Sequence, residues 1–225
     1  MIKEVNLFKF GPHVTSNRWT EMKVNRNRLN RAIALFDELN SKDPNREVIN
    51  GKEQSKELLY AHRVTTMLKS YVSNPSEILQ LAARCQHVQR WKVGRRSFPM
   101  TKTGYYQWRK KLRDFHAHTA EKILREVGYE ESVIDQVCSL VKKEKLKTDI
   151  ESQTLEDVVV LVFIENYLED FINKHSNFDE NKIMDIVDKS LRKMTIKGRQ
   201  TALAMLESKS GSTLSWYTSR CQYHK

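Results

Sequence analysis

At 225 residues the chain has the length of one domain with appendages, and 39% hydrophobic with 30% charged residues suits a globular protein with a polar exterior. Only 7 Gly and 4 Pro disfavour a turn-rich all-β fold and leave long helices as the alternative. The formal net charge of +11 sits almost wholly in residues 84 to 113, which hold ten Lys and Arg and no Asp or Glu. Trp91, Phe98, Tyr105, Tyr106 and Trp108 are interleaved with those cations, and flat rings on a basic surface suit a ligand that carries both phosphate and rings.

The three cysteines, Cys85, Cys138 and Cys221, are odd in number, far apart and without CxxC spacing, which excludes a zinc ribbon and predicts reduced thiols in a cytosolic or nuclear compartment. The longest apolar run, Val158 to Ile164, is seven residues, too short to span a bilayer. The start, MIKEVNLFKFGPH, lacks the apolar stretch of a signal peptide and the Arg/Ser bias of a transit peptide. A soluble protein with no membrane partner is therefore expected, cytoplasmic and with the nucleus open to it.

In chain order, residues 1 to 25 show no sustained period and are expected to form an N-terminal arm. Leu29, Ile33, Phe36 and Asn40 mark one face of a first helix, which SKDPN stops. A second is predicted from about Gln54 to Val72, with Leu58, Ala61, Thr65, Leu68 and Val72 on one stripe and His62 beside it, facing inward. Asn74-Pro75-Ser76-Glu77 predicts a capped start for a third, apolar on most sides, which delivers His87 and Arg90 at its end. Gly94 to Thr103 reads as a loop. A fourth helix from about Gly104 carries Trp108, Leu112, Phe115, Thr119, Ile123 and Val127 and ends at Gly128. Further helices are predicted over Glu130 to Lys143, Leu155 to His175 (capped by Thr154, the core's central helix), Asp179 to Lys193, and Thr201 to Leu206. The expected architecture is all-α: a single-domain bundle of seven or eight helices over 26–207, with a C-terminal tail at 208–225.

Four polar groups at inward or helix-end positions are candidates for chemistry: His62, His87, His116 and Asp157. His116 is four after Leu112 and seven before Ile123, on the buried stripe, whereas His118 faces roughly the opposite way. His62, His87 and Asp157 fall on three separate helices, the manner in which helical metallohydrolases assemble a site. Each also has an ordinary reading: His62 and His116 as satisfied core histidines, Asp157 as the third residue of a capping box begun by Thr154. In the basic segment Trp108 reads as packing, but Arg95 and Arg96, in a loop beside His87, have no role in building a helix. With Arg90 and Arg109 from the flanking helices they could hold a phosphate bidentately, and Trp91 and Tyr105 could stack on a ring. The chain has no Walker loop, GxGxxG or nucleophile elbow.

Gln86-His87-Val88-Gln89-Arg90-Trp91, then Arg96-Ser97-Phe98-Pro99, Gly104-Tyr105, Trp108-Arg109, Gln153-Thr154-Leu155-Glu156-Asp157 before Leu161-Val162-Phe163, and Arg192-Lys193-Met194-Thr195 with Gly198 resemble, over residues 27 to 206, a widespread single-domain family described only as a domain of unknown function. Some members carry a glutamyl-tRNA synthetase label, but the chain has no nucleotide-binding motif of that enzyme class. More remotely, the order of helices resembles the HD superfamily of metal-dependent phosphohydrolases. That resemblance implies an HD-like fold and a divalent metal ion held by His62, His87, an accessory His116 and Asp157. The residue after His87 is Val88, so the Asp that names the superfamily is missing.

Two functions follow as expectations. One is a degenerate HD-like phosphohydrolase acting on a nucleotide, with catalytic His87 and Asp157 and with Arg90, Arg95, Arg96 and Arg109 neutralising the phosphate. The other is a non-catalytic module that binds a phosphorylated small molecule, a nucleotide or RNA on the basic-aromatic segment 84–113. A scaffold whose basic face meets an acidic protein is the third and plainest reading.

Overall fold

A computed structural model of the chain describes residues 13–208, with side chains from residue 27 onward. These residues form α1 (His13–Ser41), β1 (Arg46–Ile49), β2 (Lys52–Ser55), α2 (Lys56–Tyr71), α3 (Glu77–Cys85), α4 (Lys102–Val127), α5 (Glu131–Lys142), α6 (Ile150–Asn166), α7 (Leu168–Lys174), α8 (Glu180–Leu191) and α9 (Ile196–Ser208). Two 3₁₀ turns, Arg90–Lys92 and Arg95–Ser97, lie between α3 and α4. The fold is all-α with a two-stranded hairpin as its only sheet among the described residues. α1 reaches back to His13, so residues 13–25 of the expected arm are helical; residues 1–12 and 209–225, with Cys221 and most of the expected tail, lie outside the described residues.

α3 and α6 make the centre. α3 packs against α1, α2, α4, α5 and α6, and its Leu81, Ala82, Ala83 and Cys85 are wholly buried. α6 packs against α2, α3, α5, α7 and α9 and buries Val158, Leu161 and Val162 completely. Each fully buried side chain of this size contributes about 1.5–3 kcal/mol of transfer free energy. The run of β-branched residues in α6 is thus helical, because neighbours on several sides accept an apolar surface that has no polar face.

Several ends differ from the sequence expectation for identifiable reasons. α6 starts five residues before Leu155, because the Asp149 side chain accepts from the Ser152 amide; Thr154 lies inside the helix and bonds back to the Ile150 carbonyl. The predicted helix to His175 breaks at Tyr167 (φ −131°, ψ −15°), giving α6 and α7 and turning eight predicted helices into nine. α3 is capped by Ser76, whose Oγ accepts from the Leu79 amide, rather than by Asn74. The buried residues of α2 are Glu57, Leu59, Tyr60, Ala61, Val64, Met67 and Leu68, a stripe centred on Tyr60 and Val64 rather than on Leu58 and Thr65. At 3.6 residues per turn that rotation brings His62 to the surface, where its side chain is 49% exposed.

The hairpin before α2 was not foreseen. Its turn is Asn50-Gly51, both with positive φ (52° and 74°), the type I′ geometry that matches the twist of paired strands. Glu47 on β1 accepts from Arg63 on α2 at 3.1 Å and ties the hairpin to that helix. Cys85 and Cys138 carry free thiols, both pushed above the ordinary range by burial, Cys138 to about 11. No helix among the described residues is long and apolar enough to cross a membrane.

Candidate functional site

The QHVQRW segment is a chain reversal. After α3 ends at Cys85, Gln89 takes a left-handed conformation (φ 52°), and its amide donates to Oδ1 of Asn40 on α1 at 2.9 Å. Val88 is buried completely, and its carbonyl accepts from His116 Nδ1 on α4 at 2.8 Å. With Val88 and Gln89 pinned from both sides, His87 and Arg90 project together into a cleft of about 560 Å³.

The cleft lies between two groups of elements. One wall comes from α2 (Glu57, Tyr60), the reversal (His87, Arg90) and α4 (Tyr105, Arg109). The other is largely apolar and aromatic: Val159, Val160 and Phe163 of α6, Tyr167, and Phe171 of α7. Lys143, in the left-handed cap of α5, pairs with buried Glu156 of α6 between them. Lys174 and Lys193 add positive charge on the α7–α8 side, beside the carboxylate of Asp170.

At the floor the His87 ring stacks on Tyr60, with centroids 4.0 Å apart and planes 13° from parallel. His87 Nδ1 is 3.5 Å from Glu57 Oε2, and its Nε2 is 3.4 Å from a guanidinium nitrogen of Arg90. Burial, then the charges of Arg90, Arg109 and Lys143, hold His87 well below the usual histidine range, so the ring is neutral. Burial raises the Glu57 carboxyl to about 7 although Arg90, whose Nε is 3.9 Å away, opposes the rise. Near neutrality the proton of this pair resides on Glu57, whose carboxylate, once ionised, can accept one from a hydroxyl group or water in the cleft.

Arg90 is desolvated and repelled by Arg109, and both effects lower its pKa. Its guanidinium lies 5.0 Å from the centre of the Trp108 ring. Among the described residues Arg109 has neither hydrogen bond nor ion pair. The Tyr60 hydroxyl, on a residue 91% buried, also lacks a partner among the described residues. Two like charges facing one concavity make a site that a bound anion would complete.

The other predicted site residues have different surroundings. His62 faces Asp37 of α1 at 3.7 Å, outside the cleft. His116 is buried as expected, pushed down to about 3 by burial, with its ring 5.8 Å from that of His87. Asp157 points away from the cleft: it accepts from the Tyr71 hydroxyl at 2.9 Å and from the Thr195 amide at 2.9 Å, and also from the Thr195 hydroxyl. His62, His87, His116 and Asp157 thus do not converge, and among the described residues no three His, Cys, Asp or Glu side chains could hold a metal ion. The donor set does not fit the ion that the HD resemblance implies.

Of the four arginines, the structure brings Arg90 and Arg109 together. Arg95 staples its own loop, donating to the carbonyls of Phe98 and Thr101 at 3.0 and 3.4 Å, and Arg96 is exposed outside the cleft. Trp108 packs as expected, donating from its indole to the Val93 carbonyl at 2.8 Å. Tyr105 is at the mouth, 45% exposed, whereas Trp91 does not line the cleft. Glu57, Tyr60, Lys143 and Glu156 escaped the sequence reading. For Glu57 and Tyr60 a signal existed, since they share the α2 face with Ala61 and Val64 once the stripe is counted correctly.

The family model for a domain of unknown function (DUF4202) matches residues 30–214, and the chain belongs to that family. No curated protein and no solved structure matches it.

Proposed function

We propose that the cleft binds a phosphorylated small molecule, of which a nucleotide is the best fit, with its phosphate between Arg90 and Arg109 and its ring toward Tyr105 and the Phe163–Phe171 wall. The observation that carries this reading is the pairing of two guanidinium groups in one concave, partly aromatic cleft, with Arg109 free of any counter-ion among the described residues. A cleft of about 560 Å³ is the size of small-molecule sites in general. Guanidinium forks match phosphate oxygens geometrically, and the low local dielectric strengthens the contact.

Titration calorimetry with inorganic phosphate and with AMP, ADP and ATP tests the proposal. Arg109→Ala is expected to weaken binding at least tenfold and Arg109→Lys less, because lysine keeps the charge but not the fork. Equal affinity in the parent and Arg109→Ala, or no binding of any of these at millimolar concentration, rejects it.

The contact between Glu57 and His87 favours a second reading, hydrolysis of the bound phosphate ester. Water would give its proton to the ionised Glu57 carboxylate and attack phosphorus, the ester P–O bond would break, and the leaving oxygen would take a proton from solvent. Phosphate release that Glu57→Gln abolishes while AMP still binds would select this reading; binding without release in the parent would select the non-catalytic one.

A further inference from the structure

α4 leads out of the cleft with its cations still unspent. Lys102, Tyr106, Lys110 and Arg113 follow one another at spacings of four, four and three, and so form one stripe running beside Tyr105 and Arg109. At 1.5 Å per residue the stripe is about 16 Å long. Lys102, Tyr106 and Lys110 are exposed, and none of the four has an ion pair or hydrogen bond among the described residues. From residue 84 to residue 113 the sequence contains no carboxylate. Tyr105 and Tyr106 are 45% and 59% exposed, with ring centres 5.8 Å apart in an edge-to-face arrangement. An acidic peptide would be served by the cations alone, whereas exposed rings between them offer stacking surfaces suited to bases.

The depth of the guanidinium groups favours a chain end. Arg90 sits among buried Glu57, Glu156 and Val160, while half-exposed Tyr105 lies at the mouth. A terminal phosphate has one strand connection to lead out past Tyr105, whereas an internal phosphate at the same depth would have two.

We propose that the cleft receives the phosphorylated end of a single-stranded nucleic acid, and that the adjoining nucleotides lie along the Lys102–Tyr106–Lys110–Arg113 stripe of α4. The proposal rests on the phosphate reading of the cleft and extends it from a free nucleotide to a chain end. Arg90 and Arg109 hold the terminal phosphate, Tyr105 faces the first base, and Tyr106 with the flanking lysines takes the next part of the strand.

The test is a set of equilibrium binding measurements on the full chain. The probes are AMP, six-nucleotide RNA strands with a phosphate at the 5′ end, at the 3′ end or at neither, the matching DNA strands, and a polyglutamate peptide. A triple variant, Lys102→Ala, Tyr106→Ala and Lys110→Ala, changes only exposed side chains outside the cleft. A terminally phosphorylated strand is expected to bind at least tenfold more tightly than both AMP and the unphosphorylated strand. The triple variant should bring that strand to the affinity of AMP and leave AMP unchanged. Affinity for the strand should also fall more steeply with salt than that for AMP, since each added phosphate contact steepens the slope by about 0.7 for single strands.

Which end is preferred, and whether RNA or DNA, identifies the partner within the proposal. AMP binding with no gain from the strand, or a gain that the triple variant leaves intact, overturns the strand path and spares the cleft. Strand binding indifferent to the terminal phosphate overturns capture of the end. Polyglutamate binding as tight as the strand's assigns the stripe to an acidic protein instead. Failure of AMP and every strand to bind removes both readings together.

Discussion

Glu57 shows how a single residue can report on the cleft without any ligand. The residue is 7% exposed, and burial lifts its carboxyl pKa from 4.5 to about 7. Between those values the folded chain holds a proton that the unfolded chain has released. This contribution to stability is therefore fully present below pH 4.5 and is lost as pH rises to about 7, a change of about 3 kcal/mol for a shift of this size. His87 and His116 act in the opposite sense: both are neutral in the fold, so their contribution is present above their ordinary value of 6.5 and is lost as pH falls. Comparing variants separates the two effects. Glu57→Gln should be more stable than the parent at pH 8 by up to about 3 kcal/mol, with the gain shrinking towards pH 4. Denaturant unfolding of both proteins at pH 4, 6 and 8 measures the gap, and a gap that does not change with pH would contradict the environment described for Glu57.

Asp157 makes the complementary case, a residue whose chemistry suggested catalysis and whose surroundings make it a strut. It joins Tyr71 at the end of α2 to Thr195 at the start of α9, across the helix that carries it. Gly198 on α9 lies against the same carboxyl, and a Cβ there would stand 2.5 Å from Asp157 Cγ. Asp157→Ala should cost about 3 kcal/mol through the lost charge-assisted hydrogen bonds. Gly198→Ala should cost about 1–3 kcal/mol through overpacking. Neither should alter affinity for AMP by more than about twofold, since neither touches the cleft; melting temperature and calorimetry on the same samples separate the two effects. A tenfold loss of affinity in a folded Asp157→Ala protein would return Asp157 to the site.

At the scale of elements, periodicity located nearly every helix, because a 3.6-residue stripe is written directly in the order of apolar residues. It failed where the signal was local or polar. Asn50-Gly51 states a hairpin turn in two residues, but the strands beside it, REVI and KEQS, are too short and polar to stand out. The break at Tyr167 is invisible because apolar spacing continues through it into Leu168 and Phe171. The site divided in the same way. His87, Arg90, Tyr105 and Arg109 were legible as chemistry-bearing residues in one basic stretch. Glu57 and Glu156 come from helices distant in sequence, and only the packing of α2 and α6 brings them beside that stretch. Gly104 has a tertiary reason that no sequence pattern states: a Cβ there would stand 2.1 Å from the Pro99 carbonyl oxygen. Gly104→Ala should therefore force the start of α4 away from the preceding loop and displace Tyr105. A loss of AMP affinity together with a lower melting temperature is expected, and an unchanged protein would contradict the close approach.

At the scale of the whole molecule the lining of the cleft comes from two sets of elements. α2, the reversal and α4 supply the guanidinium groups and His87; α6, α7 and the end of α8 supply the apolar wall and further cations. A ligand would add contacts between the two groups. α7 has only seven residues, and α6 is its principal packing partner. Hydrogen exchange of its amides is therefore expected to slow on AMP binding by more than that of the already buried α3. Equal or absent protection in both helices would mean that the ligand does not bridge the walls.

Asn40 does not line the cleft, yet its side-chain oxygen fixes the left-handed Gln89 between His87 and Arg90. In a survey of variants scored by ligand capture, Asn40 would consequently sort with the site residues, while its neighbours Leu39 and Ser41 would sort with the scaffold. A map of sensitive positions on this protein would thus mark two kinds of place, those that touch the ligand and those that aim the side chains which do.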